Sequence, residues 1–189
     1  MYRFSRRAPL DLRPYADPGT EDRSGPPLTR GSLFTVLVTV GGEDVPPEYR
    51  DAFRNIDPDG WYHGQPLETL LNEIEERDPA LVELIGRNIY FMFRTQLHEL
   101  GTKTPTDFVV QLPTIWNFAT RGDSGAWRTM MKGERHAIVE SHQPYNCLFE
   151  AGGLRGFIEA LDGYDVVIEH DTCVRKGAPF CIFDTRWQE

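Results

Sequence analysis

Apolar positions recur along this chain first at helical spacing and then at strand spacing, and the change falls near residue 125. Leu67, Leu70, Leu71 and Ile74 follow Pro66 on one face, which predicts a helix opening at that proline. Asp78-Pro79 predicts a second, longer helix with Asp78 as its N-cap. Its inward positions are Leu81, Leu84, Ile85, Ile89, Met92, Phe93, Leu97 and Leu100, and Gly101 stops it. Tyr90, Phe91 and His98 fall off that stripe, and a helix apolar on more than one side is central or lines a pocket. Thr106 to Ala119 reads as a third helix, interrupted or restarted at Pro113.

After Gly125 the period shortens. Residues 126–131 and 136–140 read as strands around a Lys132-Gly133-Glu134 loop. Leu148, Leu154, Phe157, Ile158 and Leu161 suit a helix beginning near Cys147, in which Gly152-Gly153 signals weak helix or close packing. Residues 164–168 and 180–187 then form two strands joined around Lys176-Gly177. Upstream, Leu33 to Val40 is β-branched and ends at Gly41-Gly42, which predicts a strand and a turn. The Pro46-Pro47, Asp57-Pro58 and Asp59-Gly60 turn signals leave room for at most a short helix. The pattern gives an α+β fold, with N-terminal helices on a small antiparallel sheet and a C-terminal strand–helix–hairpin lobe.

Composition narrows the picture. The 189 residues are 40% hydrophobic, which suits one ligand-binding domain over 31–189. Residues 1–30, rich in Pro, Gly, Asp and Arg, read as an arm, poorly ordered or ordered by docking. A formal net charge of −9 argues against free nucleic acid as partner. The apolar run at 33–40 is far too short to span a bilayer, no apolar core of a signal peptide follows Met1, and three cysteines do not make a disulfide scaffold. These features together lead to the expectation of a cytoplasmic protein.

The three cysteines lie in the last quarter of the chain, as Asn146-Cys147, Glu169-His170-Asp171-Thr172-Cys173 and Phe180-Cys181. Cys147 falls at a helix head, and Cys173 and Cys181 fall at the two ends of a hairpin, so the thiols can converge. With His170 they make a Cys₃His set, and zinc is the usual occupant of such sets. In a regular strand His170 and Cys173 would face opposite ways, so the strand must end or bend near Asp171. Buried free thiols, a Cys173–Cys181 disulfide and a reactive Cys147 are the alternatives.

The run of Asn-Cys, a glycine-bearing helix, Val166-Val-Ile-Glu-His-x-x-Cys173 and Lys176-Gly-x-x-x-Cys-x-Phe183 resembles the 4-vinyl-reductase domain family. Its relatives include the phenol-sensor domains of bacterial enhancer-binding activators and, more distantly, haem-NO-binding domains. The match is clearest over 125–187. The resemblance implies structural zinc on Cys147, Cys173 and Cys181, with His170 at a carboxylate's position and Glu169 as the other candidate. It also implies a pocket in which His98 and Trp127 hydrogen-bond an aromatic ligand, with Phe91 on the face of His98. Tyr90, Phe108 and Trp116 could add aromatic wall.

The expected function is a non-catalytic, zinc-stabilised sensor module for an apolar or aromatic ligand, a homodimer by resemblance, reporting to a downstream protein. The alternatives are a scaffold protein with a filled or lipid-occupied pocket, and a tetrapyrrole- or haem-associated protein. Against haem, the Tyr-x-Ser-x-Arg signature of haem-NO-binding domains is absent. No acid/base pair or cofactor loop supports an enzyme.

Overall fold

The computed structural model describes residues 2–91 and 93–189, and the side chains of Ile89 and Gln96 lie outside the described set. The expected inward positions Ile89 and Met92 therefore fall outside what is described. The element order is β1 (Pro14–Tyr15), β2 (Leu28–Arg30), α1 (Gly31–Gly41), α2 (Pro47–Arg54), β3 (Trp61–His63), α3 (Gln65–Arg77), α4 (Pro79–Phe91), α5 (Arg94–Glu99), α6 (Pro105–Ala119), β4 (Thr120–Arg121), β5 (Ala126–Gly133), β6 (His136–His142), α7 (Cys147–Ala160), β7 (Tyr164–Glu169) and β8 (Cys181–Gln188). Two four-stranded antiparallel sheets result, in the orders β1-β3-β2-β4 and β5-β6-β8-β7. The α+β expectation holds, with one more sheet than expected.

The arm does not hang free. β1 and β2 pair with β3. Tyr2 and Phe4 stand edge-on to His63, and Phe4 reaches Tyr145 at 5.1 Å between ring centroids. These contacts lie on this chain's own surface.

Residues 33–40, expected as a strand, are helical. The buried positions of α1 are Gly31, Leu33, Phe34, Leu37, Val38 and Gly41. That spacing buries one helical face, and core packing overrides the β preference of Thr35, Val36, Thr39 and Val40. Gly31 opens the helix where a Cβ would lie 1.9 Å from the Asp57 carbonyl oxygen.

The long helix expected from Asp78 to Leu100 is two helices. Asp78 does cap it, accepting from the Ala80 and Leu81 amides at 3.0 and 3.1 Å. After Phe91, however, Phe93 N–H bonds back to Tyr90 O, only three residues away, and α5 starts in a new register. Gly101, at φ +82°, closes α5 with Gly101 N–H on His98 O and Thr102 N–H on Leu97 O, as a C-terminal cap should. Leu84 and Leu100, expected inward, are exposed. Helix α6, by contrast, runs through Pro113 without restarting and opens on a reciprocal Thr104–Asp107 cap.

α4 and α7 form the densest helix pair. Cβ atoms built at Gly86, Gly152 and Gly156 would lie 2.1, 2.0 and 2.1 Å from the carbonyl oxygens of Phe149, Glu83 and Arg87. The glycines of α7 thus mark close packing and not a weak helix. Behind α7, Cys181, Phe183, Thr185 and Trp187 of β8 are all buried at period two.

Candidate ligand cavity and thiol cluster

A cavity of about 480 Å³ opens between α4, α5, α6, α7 and β5. α6 contributes Phe108, Leu112, Ile115 and Trp116 to its wall, α7 contributes Glu150, Gly153, Leu154 and Phe157, and Leu97 comes from α5. Tyr90 closes one side against Phe157 at 4.4 Å, and Phe157 stacks on Phe108 at 4.3 Å. Arg30, paired with Asp59 at 2.6 Å, stands at the open rim.

Four of the six expected pocket residues meet here: Tyr90, Phe108, Trp116 and Trp127. His98 and Phe91 do not. Both are exposed, because the break after Phe91 resets the helical register and turns His98 outward at the end of α5. The residues the sequence did not single out are those of α7, above all Glu150. The signal was present: a carboxylate lies at helical spacing with Leu154 and Phe157, on the apolar stripe.

Polar groups in the wall are few. Trp116 Nε1 and Trp127 Nε1 are buried without a hydrogen-bond partner. Glu150 is buried, and Tyr90 O–H donates to its Oε2 at 3.4 Å. Burial pushes the Glu150 carboxyl up to about 8, against the Tyr90 bond that lowers it and with nearby Glu68 adding to the rise. The Tyr90 phenol is pushed well above its usual range by burial and by Glu150.

The thiols gather behind the same helix. Cys147 is the first residue of α7, whose N-cap Asn146 accepts from the Leu148 and Phe149 amides. One ligand atom each from Cys147, His170, Cys173 and Cys181 lies within 4.8 Å of the others. A hydrogen bond with Cys181 and burial push the Cys147 thiol up, and the same bond lowers Cys181. All three cysteines are free thiols, so no Cys173–Cys181 disulfide is formed. β7 ends at Glu169, as the geometry required, and lets His170 turn in and stack on Phe183 at 4.4 Å. His170 Nε2 is buried without a partner. Glu169 faces away, paired with Arg186 at 3.2 Å, so histidine and not glutamate joins the thiols. Arg175, in the loop between Cys173 and Cys181, reaches Glu68, Asn72 and Glu75 on α3 and ties the thiol lobe to the helices.

No family profile matches the chain, and no curated protein sequence matches it. The 4-vinyl-reductase resemblance therefore gains no support. Solved structures do match. The H-NOX (haem-NO/oxygen-binding) protein of S. oneidensis in its Fe(II)NO ligation state superposes with a TM-score of 0.67 at 16% identity, over 85% of this chain and 99% of that one. The Fe(II) unliganded H-NOX protein of K. algicida gives 0.64 at 12%, over 85% and 97%. An H-NOX structure addressing the mechanism of activation gives 0.59 at 11%, over 84% and 94%. The chain has the fold of these domains.

These neighbours correct the zinc expectation, since the ligated metal they are described by is iron, as Fe(II). Haem itself does not fit the residues of this cavity. Among the described wall residues there is no His, Cys or Met to serve as an axial ligand. Tyr90 resists the ionisation that ligation would need, and the buried acid in the wall is Glu150.

Proposed function

We propose that this chain is a sensor-like domain that takes a small, largely apolar molecule into the cavity between α4–α7 and β5. The observation that carries this reading is the pair of buried, unpartnered indole N–H groups, Trp116 and Trp127, in a wall made mostly of apolar side chains. An apolar cavity with a few convergent polar groups is the usual form of a small-molecule site. A thermal-shift series with phenols and fatty acids tests it, because a ligand at a hundred times its Kd stabilises by about 2.7 kcal/mol. The reading fails if no compound moves the transition and Trp127→Phe titrates as wild type throughout.

The fold favours haem as a second reading, since the neighbours are described by Fe(II), NO and CO ligation states. Protein made with haem in excess decides between the two. A Soret band retained through gel filtration would establish haem, and its absence leaves the smaller ligand.

Cys147, Cys173, Cys181 and His170 are proposed as one metal-ligating set, supported by their mutual approach and by the unpartnered His170 Nε2. Titration with Co²⁺ should give thiolate-to-metal absorbance that His170→Ala weakens and Glu169→Ala leaves alone; the reverse pattern overturns the assignment. The link to 4-vinyl-reductase domains, a homodimer and a downstream protein partner belong to the same proposal. Leu84 and Phe91, exposed two turns apart on α4, support a covered face, which native mass spectrometry tests.

A further inference from the structure

Hydrogen-bonding capacity in the buried part of the cavity wall is lopsided, the charged Arg30, Asp59 and Glu99 of the lining being solvent-accessible. An indole N–H donates and cannot accept. Trp116 and Trp127 are 6% and 3% exposed, their ring centroids are 6.0 Å apart edge to face, and both N–H groups are unpartnered. A buried donor left unmade is costly, so two beside one cavity point to a ligand acceptor. Opposite them, Tyr90 spends its proton on Glu150 Oε2. Among the described residues no Arg, Lys or His hydrogen-bonds to Glu150, so nothing there offsets a negative charge. Its carboxyl keeps its proton up to a pH of about 8, and at neutral pH it is a further donor.

We propose that the cavity selects a neutral ligand bearing a carbonyl oxygen on an apolar frame, such as an aryl ketone, quinone or lactone, held by the indole N–H groups of Trp116 and Trp127 and by the Glu150 carboxyl. This deepens the small-molecule reading above and rests on it. A hydroxyl ligand brings a donor of its own, and the Glu150 oxygen that could accept it is already engaged by Tyr90. A carboxylate ligand brings a charge that the one cation of the lining, Arg30 at the open rim, does not offset, because it is already paired with Asp59. In the buried part of the wall an amine needs Glu150 ionised, against its burial, since the other lining carboxylates, Asp59 and Glu99, are solvent-exposed.

The test uses the full chain and three compounds on one frame: 2-acetonaphthone, 1-(2-naphthyl)ethanol and 1-(2-naphthyl)ethylamine. Calorimetry at pH 7 should rank the ketone tightest, by roughly tenfold, the worth of one to two net hydrogen bonds. Trp116→Phe and Trp127→Phe should each weaken it about fivefold. Glu150→Gln, which keeps a donor but cannot ionise, should abolish the decline of the ketone's affinity above pH 8. Because a variant could fold poorly, the wild-type indole N–H resonances provide a second readout, and two of them should move downfield with the ketone. An alcohol or amine that binds as tightly as the ketone, or indole resonances that stay in place on saturation, overturns the proposal. Phenol binding without ketone binding sinks this inference and spares the small-molecule reading; silence from every compound in both series sinks both.

Discussion

Gly152→Ala should loosen the α4–α7 pair more than any neighbouring change of one methyl group. The added Cβ would lie 2.0 Å from the Glu83 carbonyl oxygen and 3.0 Å from the Arg87 amide nitrogen. An ordinary contact begins near 3.4 Å, so the approach falls about 1.4 Å short. Both obstructing atoms are helix backbone, which cannot swing aside as a side chain can. Overpacking of this kind costs about 1–3 kcal/mol, and backbone obstruction puts it at the upper end. Alanine returns about 1 kcal/mol in helix propensity. The net loss is about 2 kcal/mol, or roughly 4–8 °C in Tm for a chain of this length. Urea titration followed by circular dichroism reads it as a lower midpoint at unchanged slope. Gly133→Ala, whose Cβ would meet nothing nearer than 4.0 Å, is the control and should stay within about 0.5 kcal/mol. A Gly152→Ala protein as stable as that control would refute the backbone-contact argument. Gly156→Ala added to it should cost less than its single effect, since one separation of the helices relieves both clashes.

Two further predictions follow from burial. Burial raises Glu150 from an ordinary carboxylate value to about 8 in the folded chain. Its stabilising neutral form is therefore fully present below the unfolded value, and the contribution is lost as pH rises from about 4.5 through 8. Stability should fall across that window, by up to about 1.4 kcal/mol per pH unit for this group, and Glu150→Gln should remove its share and leave that of buried Glu68, which burial also pushes up to about 8; a profile in the variant parallel to wild type would show that Glu150 contributes nothing. Phe4→Ala removes the ring set edge-on to Tyr145 and His63. It should cost about 1 kcal/mol and speed proteolysis at the Asp22–Gly25 segment, whereas unchanged cleavage would mean the arm is held by β1 and β2 alone.

The sequence was most informative where spacing itself does the folding. The Cys147, Cys173 and Cys181 intervals predict convergence because a hairpin brings its ends together at a helix head, and the thiols do meet. The leucine stripe of α3 and the cap at Asp78 are equally direct. Residues 33–40 misled because β-branched composition outweighed a correct helical pattern in Leu33, Phe34, Leu37 and Val38. β1 and β2 are two and three residues long, too short to show alternation, so the first sheet was invisible. The position of His98 is hidden for a subtler reason: a single helical register from Asp78 to Leu100 holds only for an unbroken helix, and α4 and α5 are separate. The sequence does not mark Glu150, because its burial depends on what α4 and α6 place around it, which no local pattern records.

The glycine contact between α4 and α7 has a bearing on selectivity. Where backbone meets backbone, no rotamers remain to adjust, so α7 presents the cavity with a stationary wall. The six-residue α5 follows a helical break and is anchored inside by Leu97, with His98 and Glu99 in solvent. A bulkier guest would be accommodated by displacement of α5. Any such displacement would fall on the part of the cavity wall that is exposed at the surface.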